Sequence, residues 1–168
     1  MLKKFTPDYM FSKYSDITPE FLTNIGVLAL IIDIDNTLAP YEQATPDEKT
    51  FEWFNSLKKA GIKACLISNN KANRVNLFNK ELNLTAFADA GKPQKRFLLT
   101  AMETMKSTKE NTAVLGDQLF TDCYAGKRLG LRAIIIPPIK DKKTLLFKLK
   151  RSLEKPIIKK FRKKKNFK

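Results

Sequence analysis

Five short runs of aliphatic and β-branched residues recur along this chain, separated by segments with helix punctuation. That alternation restricts the fold more than any other feature. The runs are "VLALIID" (27–33), "IKACLIS" (62–68), "TAFADA" (85–90, the weakest), "TAVLG" (112–116) and "RAIIIPP" (132–138). They lack the polar–apolar alternation of a half-exposed strand, so they read as strands buried on both faces. "TPEFLTNIG" has Thr18 as an N-cap, Pro19 at the first helical position and Gly26 as a stop. "TPDEKTFEWFNSLKKAG" repeats that syntax, with Thr45 as cap, Pro46 at the first position, Glu48 closing a capping box and Gly61 ending the helix. Phe51, Phe54 and Leu57 form its core stripe. Further helices are expected in "NRVNLFNKEL", "PQKRFLLTAMETMK" and "TDCYAGKRLG". Strands and helices alternating through short loops predict an α/β fold, a parallel sheet of about five strands with helices on both faces.

In such sheets ligands bind at the carboxyl ends of the strands, and this is where the conspicuous polar residues fall. Asp33 and Asp35 follow the first run in "LIIDIDNTLAP"; Ser68, Asn69 and Asn70 follow the second; Lys92 lies in the loop after the third; Asp117 ends the fourth and Asp122 starts the next helix. If the strand stays extended, Asp33 and Asp35 share a face, where two carboxylates repel and are costly to desolvate. Either the pair sits at an exposed strand end or something neutralises it. Singly, each motif has a bland reading as turn or cap chemistry. Jointly, in order and all at one sheet edge, they point to a site.

Histidine is absent from the 168 residues, which removes Ser-His-Asp triads, Cys-His dyads and His-ligated zinc. Cys65 and Cys123 have no metal-ligand spacing and read as reduced thiols of a cytoplasmic protein. No apolar run is long enough to span a bilayer, and no secretory signal is expected from "MLKKFTPDYM". Catalysis is left to carboxylates, lysine, hydroxyls or a hard cation. Magnesium favours oxygen ligands, carboxylates and phosphate oxygens among them. Asp33 and Asp117 could hold it, while Lys92 and Ser68 suit an anionic phosphoryl group.

"DIDNT" (33–37), "LISNN" (66–70), "GKP" (91–93) and "GDQLFTD" (116–122) resemble the four ordered motifs of the haloacid dehalogenase (HAD) superfamily. Including "SDITPEFL" and the basic end, the chain resembles the YqeG-like class IIIA phosphatases over nearly its whole length. The resemblance implies a three-layer, Rossmann-like HAD fold and a phosphatase. Asp33 would be the nucleophile that forms an aspartyl-phosphate, and Asp35 the general acid and then base. Mg²⁺ would be held by Asp33, the backbone carbonyl of Asp35, and Asp117. Ser68 and the Asn69 amide would contact phosphoryl oxygens, and Lys92 would stabilise charge. Asp122 would support the metal or orient Lys92, and Thr37 would hydrogen-bond within its loop. An aspartate at position 35 favours phosphatase over dehalogenase or ATPase relatives.

HAD phosphatases often carry a cap domain between motifs. Residues 38–67 hold only a loop, a helix and a strand here, and residues 71–91 a helix and a short strand, so a capless site is expected. An open site suits a bulky substrate. The net charge of +15 is concentrated: residues 138–168 hold 14 Lys and Arg against 2 acidic residues. We therefore divide the chain into a HAD domain, 1–138, and a basic amphipathic helical extension, 139–168. Leu145, Leu149, Leu153, Ile157 and Phe161 recur at i+4 among the basic residues, with Pro156 expected to break the helix in two. Three readings of this segment stay open. It could lie on an anionic membrane through residues 140–168. Leu145–Leu153 could pack on the domain and leave a solvated tail. Or it could bind RNA or a ribosome. Some members that it resembles are phosphatidylglycerophosphate phosphatases, which makes that lipid head group the favoured substrate, at the inner face of the membrane. A nucleotide, sugar or protein phosphate is the alternative, as is an RNA- or ribosome-associated protein with a vestigial site; an oligomer is open.

Overall fold

The computed structural model describes residues 2–140 and 145–164. Its centre is a six-stranded, wholly parallel sheet: β1 (Tyr9–Met10), β2 (Ala29–Ile32), β3 (Lys63–Ile67), β4 (Thr85–Phe87), β5 (Thr112–Gly116) and β6 (Arg132–Ile135), in the order β1-β6-β5-β2-β3-β4. The five expected strands are all present. The sixth, β1, has only two residues and no apolar run to announce it. Long-range partners hold it beside β6: the Asp8 carboxylate accepts from Lys127 Nζ at 2.8 Å and from the Ala133 amide at 2.8 Å.

The helices are α1 (Pro19–Asn24), α2 (Glu48–Lys59), α3 (Ala72–Asn79), α4 (Arg96–Thr104), α5 (Tyr124–Leu129) and α6 (Leu145–Lys164). A π-helical turn, Leu119–Cys123, leads into α5. Side-chain alternation along β2 divides the core into two layers. Leu30 and Ile32 join Leu22, Trp53, Leu57 and Phe78 on one face; Ala29 and Ile31 join Leu98, Ala101, Ala125 and Phe161 on the other. Both cysteines are free and buried.

Thr18 caps α1 as expected, its hydroxyl accepting the Phe21 amide at 3.1 Å. The cap of α2 is not Thr45 but Asp47, and the helix starts at Glu48 rather than Pro46. The Asp47 carboxylate accepts both the amide and the hydroxyl of Thr50, at 2.8 and 2.7 Å. A charged cap complements the helix dipole better than a threonine does, and Thr50 is itself buried against Tyr14. The buried stripe of α2 is Thr50, Trp53, Phe54 and Leu57, with Phe51 at its edge.

α6 differs from expectation in two ways. It runs as one helix through Pro156. The proline removes one backbone donor, but it is exposed, and side chains on both sides of it anchor the inner face. The i+4 apolar stripe also splits. At 3.6 residues per turn each i+4 step advances about 40°, so three steps turn through about 120°. Ile157 and Phe161 consequently pack on the core beside α4 and α5, whereas Leu149 and Leu153 are 58% and 56% exposed. Packing of the Leu145–Leu153 portion, one of the three readings, is thus reversed at Leu149 and Leu153. Glu154, on the inner face, is buried and accepts the Leu119 amide at 2.8 Å. The lysine tail at 165–168 and the link at 141–144 lie outside the described residues. No described helix is long and apolar enough to cross a membrane. Phe161→Ala should cost about 3 kcal/mol in urea denaturation and Leu153→Ala less than about 0.5 kcal/mol; equal effects would contradict this docking.

Candidate active site

Strand order reverses between β2 and β5. From β2 the chain moves outward through β3 and β4, then returns to the other side of β2 as β5. The crevice at the carboxyl ends of these two strands is the expected ligand position. Asp33 is the residue after β2 and bonds through its amide to Leu115 O at 2.9 Å; Asp117 follows β5. Both are buried.

Strand pairing along β2 ends at Ile32; beyond it the Asp33 amide still bonds Leu115 O, and Asp35 bridges to Ala39 instead of to a neighbouring strand. The chain folds around the Ile34 carbonyl, which accepts the amides of Thr37, Leu38 and Ala39. Asn36 takes a left-handed conformation at φ 64°, which asparagine tolerates better than most residues. The two carboxylates then reach different partners. Asp33 Oδ1 accepts from Lys92 Nζ at 2.6 Å, and its Oδ2 from the Thr37 hydroxyl at 3.3 Å. Asp35 Oδ2 accepts from Asn70 Nδ2 at 3.1 Å and from the Ser68 hydroxyl at 3.4 Å; its Oδ1 accepts from Arg74 Nε at 3.1 Å.

Lys92 reaches across the sheet edge with its ammonium buried. It donates at 2.6 Å to Asp122 Oδ1 as well as to Asp33, and at 3.0 Å to Ile67 O. Asp122 is held in turn by the Gln118 amide at 3.2 Å and the Thr121 hydroxyl at 3.3 Å. Gly116 makes its position possible: a Cβ there would lie 2.3 Å from Asp122 Cγ. Asn69 stitches the Lys92 loop to the end of β3, its Oδ1 accepting the Lys92 amide at 2.7 Å and its Nδ2 donating to Lys92 O at 3.2 Å.

Asp33, Asp117 and Asp122 each present an oxygen within 4.8 Å of the others. Three hard-oxygen donors, buried and with no thiolate or imidazole among them, fit a hard divalent cation. Asp33 and Asp122 both accept protein donors on each oxygen and share the Lys92 ammonium, while Asp117 Oδ1 accepts from Gln118 Nε2 at 3.4 Å, so hydrogen bonding does not rank the three as cation ligands. Burial pushes the Asp33 carboxyl from 3.8 up to about 7; Lys92 opposes this, and Asp122 and Asp35 add to it. Burial also works against the Lys92 ammonium, but Asp122 and Asp33 outweigh it and hold its pKa above the ordinary value.

The sequence-derived residues Asp33, Asp35, Ser68, Asn69 and Lys92 line one open cleft of about 310 Å³. Thr37, Asp117 and Asp122 do not line it but adjoin residues that do: Thr37 bonds Asp33, Asp122 bonds Lys92, and Asp117 lies close to Asp33. Sequence reasoning missed Tyr41, Gln118 and Thr121 on the cleft wall, and gave Asn70 no role. Burial, followed by the charges of Asp35 and Asp33, raises the Tyr41 phenol above its usual value. It also missed Arg74. The available signal was a cation in the first turn of a helix, where the dipole disfavours one. Among the described residues no separate domain covers the cleft: loop, α2 and β3 fill residues 38–67, and α3 and β4 lie between Lys71 and Gly91.

A family model described as HAD-hydrolase-like matches residues 89–151. The chain is 35% identical over 159 residues to the Bacillus subtilis protein named "Probable phosphatase YqeG", covering 94% of this chain and 92% of that one. The chain belongs to the HAD superfamily as a YqeG-like phosphatase. Solved structures share its fold. The cobalt-bound deoxy-D-mannose-octulosonate 8-phosphate phosphatase of Haemophilus influenzae matches with a TM-score of 0.52 at 13% identity, over 81% of this chain and 90% of that one. CbbY from Rhodobacter sphaeroides in complex with phosphate matches with a TM-score of 0.51 at 16% identity, over 67% and 87%.

The raised Asp33 pKa has a stability consequence for the YqeG-like chain in EDTA. A carboxyl whose folded pKa exceeds its unfolded one contributes stability that is complete below the unfolded value and is lost as pH rises through the folded value. That window runs from 3.8 to about 7. Melting temperature in EDTA should fall across it in the wild type and fall less in Asp33→Asn; parallel curves would show that Asp33 is not the group responsible.

Proposed function

We propose that the chain is a Mg²⁺-dependent phosphomonoesterase acting through an aspartyl-phosphate on Asp33, with phosphatidylglycerophosphate at a membrane surface as substrate. The observation that carries the catalytic reading is the division of partners between the two motif aspartates. Asp33 is paired with Lys92 and stands close to Asp117 and Asp122, whereas Asp35 is held in the same cleft by Asn70, Ser68 and Arg74. That division supports attack by the first carboxylate and proton transfer by the second.

In the first step an Asp33 oxygen forms a bond to phosphorus as the ester P–O bond breaks. The bonding pair leaves with the ester oxygen, which takes the proton of the Asp35 carboxyl. In the second step water attacks the phosphoryl group, Asp35 takes one of its protons, and the P–O bond to Asp33 breaks. Inorganic phosphate leaves and both carboxyls return to their starting states. Lys92 balances charge on Asp33 and the phosphoryl oxygens, and Ser68 and the Asn69 amide orient those oxygens. Asp122 and Ile67 O hold the Lys92 ammonium in place. Asp33, Asp117 and the Asp35 carbonyl are the groups that would hold Mg²⁺, whose contribution is to neutralise negative charge at the phosphoryl group.

Two features support a lipid substrate. Among the described residues nothing caps the cleft, so a head group at a surface can reach it. α6 carries exposed Leu149 and Leu153 among exposed Lys148, Lys155, Lys159 and Lys160, and its inner face reaches the Leu119 turn beside Asp117. Basic residues near an anionic surface contribute about 1 kcal/mol each. The HAD domain at 1–138 and the basic extension from 139 would then divide catalysis and surface binding between them.

Mg²⁺ and vesicles containing phosphatidylglycerophosphate test the reading. Phosphate release should stop with EDTA and in Asp33→Asn and Asp35→Asn, with both variants folded. Turnover of soluble phosphomonoesters but not vesicles would overturn the lipid assignment. RNA binding that weakens with salt, without any turnover, would overturn the enzyme reading.

A further inference from the structure

Arg74 lies in the first turn of α3, outside the ring of residues that line the cleft. Its guanidinium is nevertheless directed at the site. Nε donates to Asp35 Oδ1 at 3.1 Å, with the two side chains 13% and 6% exposed. Nη1 donates at 3.0 Å to Ala44 O, in the loop that carries Tyr41 over the cleft. The plane lies over the Phe78 ring at 5.1 Å. Nη2 is buried without a hydrogen-bond partner.

This is an unusual place for an arginine used only for packing. It gives up water, leaves one donor unsatisfied and puts a cation at the positive end of a helix, all of which are unfavourable. What the arrangement achieves is control of one carboxyl. Asn70 and Ser68 both bond Asp35 Oδ2, whereas Arg74 is the partner of Oδ1. Without Arg74 the carboxyl keeps contacts on one oxygen only and can rotate about its Cβ–Cγ bond, a soft torsion for a carboxylate. The fork of the guanidinium also ties that orientation to the Ala44 loop through a second nitrogen in fixed planar geometry, which a lysine does not supply.

We infer that Arg74 is a positioning residue for proton transfer: it holds the Asp35 carboxyl in the direction from which it protonates the leaving oxygen, and locks that direction to the Tyr41 loop. This rests on the assignment of Asp35 as proton donor. The role is selective for the leaving group. An alkoxide departs poorly without a proton, whereas para-nitrophenolate departs well without one. Misdirecting Asp35 therefore harms the first ester more than the second.

The test is kcat/KM, which covers the steps up to leaving-group departure, for glycerol phosphate and for para-nitrophenyl phosphate with Mg²⁺. In Arg74→Gln both values fall, and the alkyl-to-aryl ratio falls by about tenfold or more, since small misplacements of reacting groups can cost up to about 10²-fold. Arg74→Lys, which keeps the charge and loses the fork, gives a ratio between those of Gln and wild type. If Arg74→Gln does not fold, as judged by circular dichroism, Arg74→Lys carries the same comparison. A ratio unchanged from wild type in the folded variants, whatever the loss on each ester, overturns the positioning role and leaves the phosphatase reading intact. A wild type that releases phosphate neither from these esters nor from phosphatidylglycerophosphate vesicles overturns that reading and this inference with it; one active on vesicles alone is compared with its Arg74 variants on vesicles, where an unchanged rate overturns the positioning role.

Discussion

The buried contact of Lys92 with Asp33 and Asp122 is the constraint around which the catalytic edge is built. One ammonium faces two carboxylates at 2.6 Å, and Asp117 stands close by. Removing one partner from a buried ion cluster leaves an uncompensated charge, which is strongly destabilising. Each element of the cluster therefore has dedicated support. Gly116 clears room for Asp122, the Gln118 amide and Thr121 hold it, and Asn69 fixes the loop from which Lys92 springs. Three carboxylates against one ammonium still leave negative charge in excess. Burial raises the Asp33 pKa, with Asp122 and Asp35 adding to it against Lys92, and a site short of positive charge is suited to a divalent cation and a phosphoryl group.

The sheet supplies the geometry. With β2 and β5 adjacent and parallel, Asp33 and Asp117 emerge at one end from neighbouring strands, while β3 brings Ser68 to the same edge. Both layers of core packing lie below this edge. Helix–sheet packing therefore fixes the strand ends, and the turns above them carry the chemistry. α6 joins this structure through Glu154 and the Leu119 amide as well as through Phe161, so the basic segment is attached beside the loop that holds Asp117 and Asp122.

Much of this was legible locally. The strands that carry the candidate site announce themselves by continuous apolar runs, and the residues lining it by their place at the ends of those runs. What escaped had its cause elsewhere in the chain. β1 exists because Asp8 finds Lys127 and Ala133, more than a hundred residues away. Asp47 displaces Thr45 as the α2 cap, taking the amide and hydroxyl of a Thr50 that is itself held by Tyr14, thirty-six residues away. Arg74 gives no sign in "NRVNLFNKEL" of the carboxylate that it will meet across the sheet edge.

By itself, the sequence determined the alternation of strand and helix, the absence of histidine chemistry and the order of the motifs, because these depend on residue type and near-neighbour spacing. Tertiary structure decided which oxygen of each aspartate faces which partner, because the partners come from distant elements: Lys92 for Asp33, and Ser68, Asn70 and Arg74 for Asp35. It also decided which side of α6 is buried. An i+4 stripe drifts around a helix, and only a neighbouring surface selects the portion that packs: here Ile157 and Phe161, leaving Leu149 and Leu153 exposed.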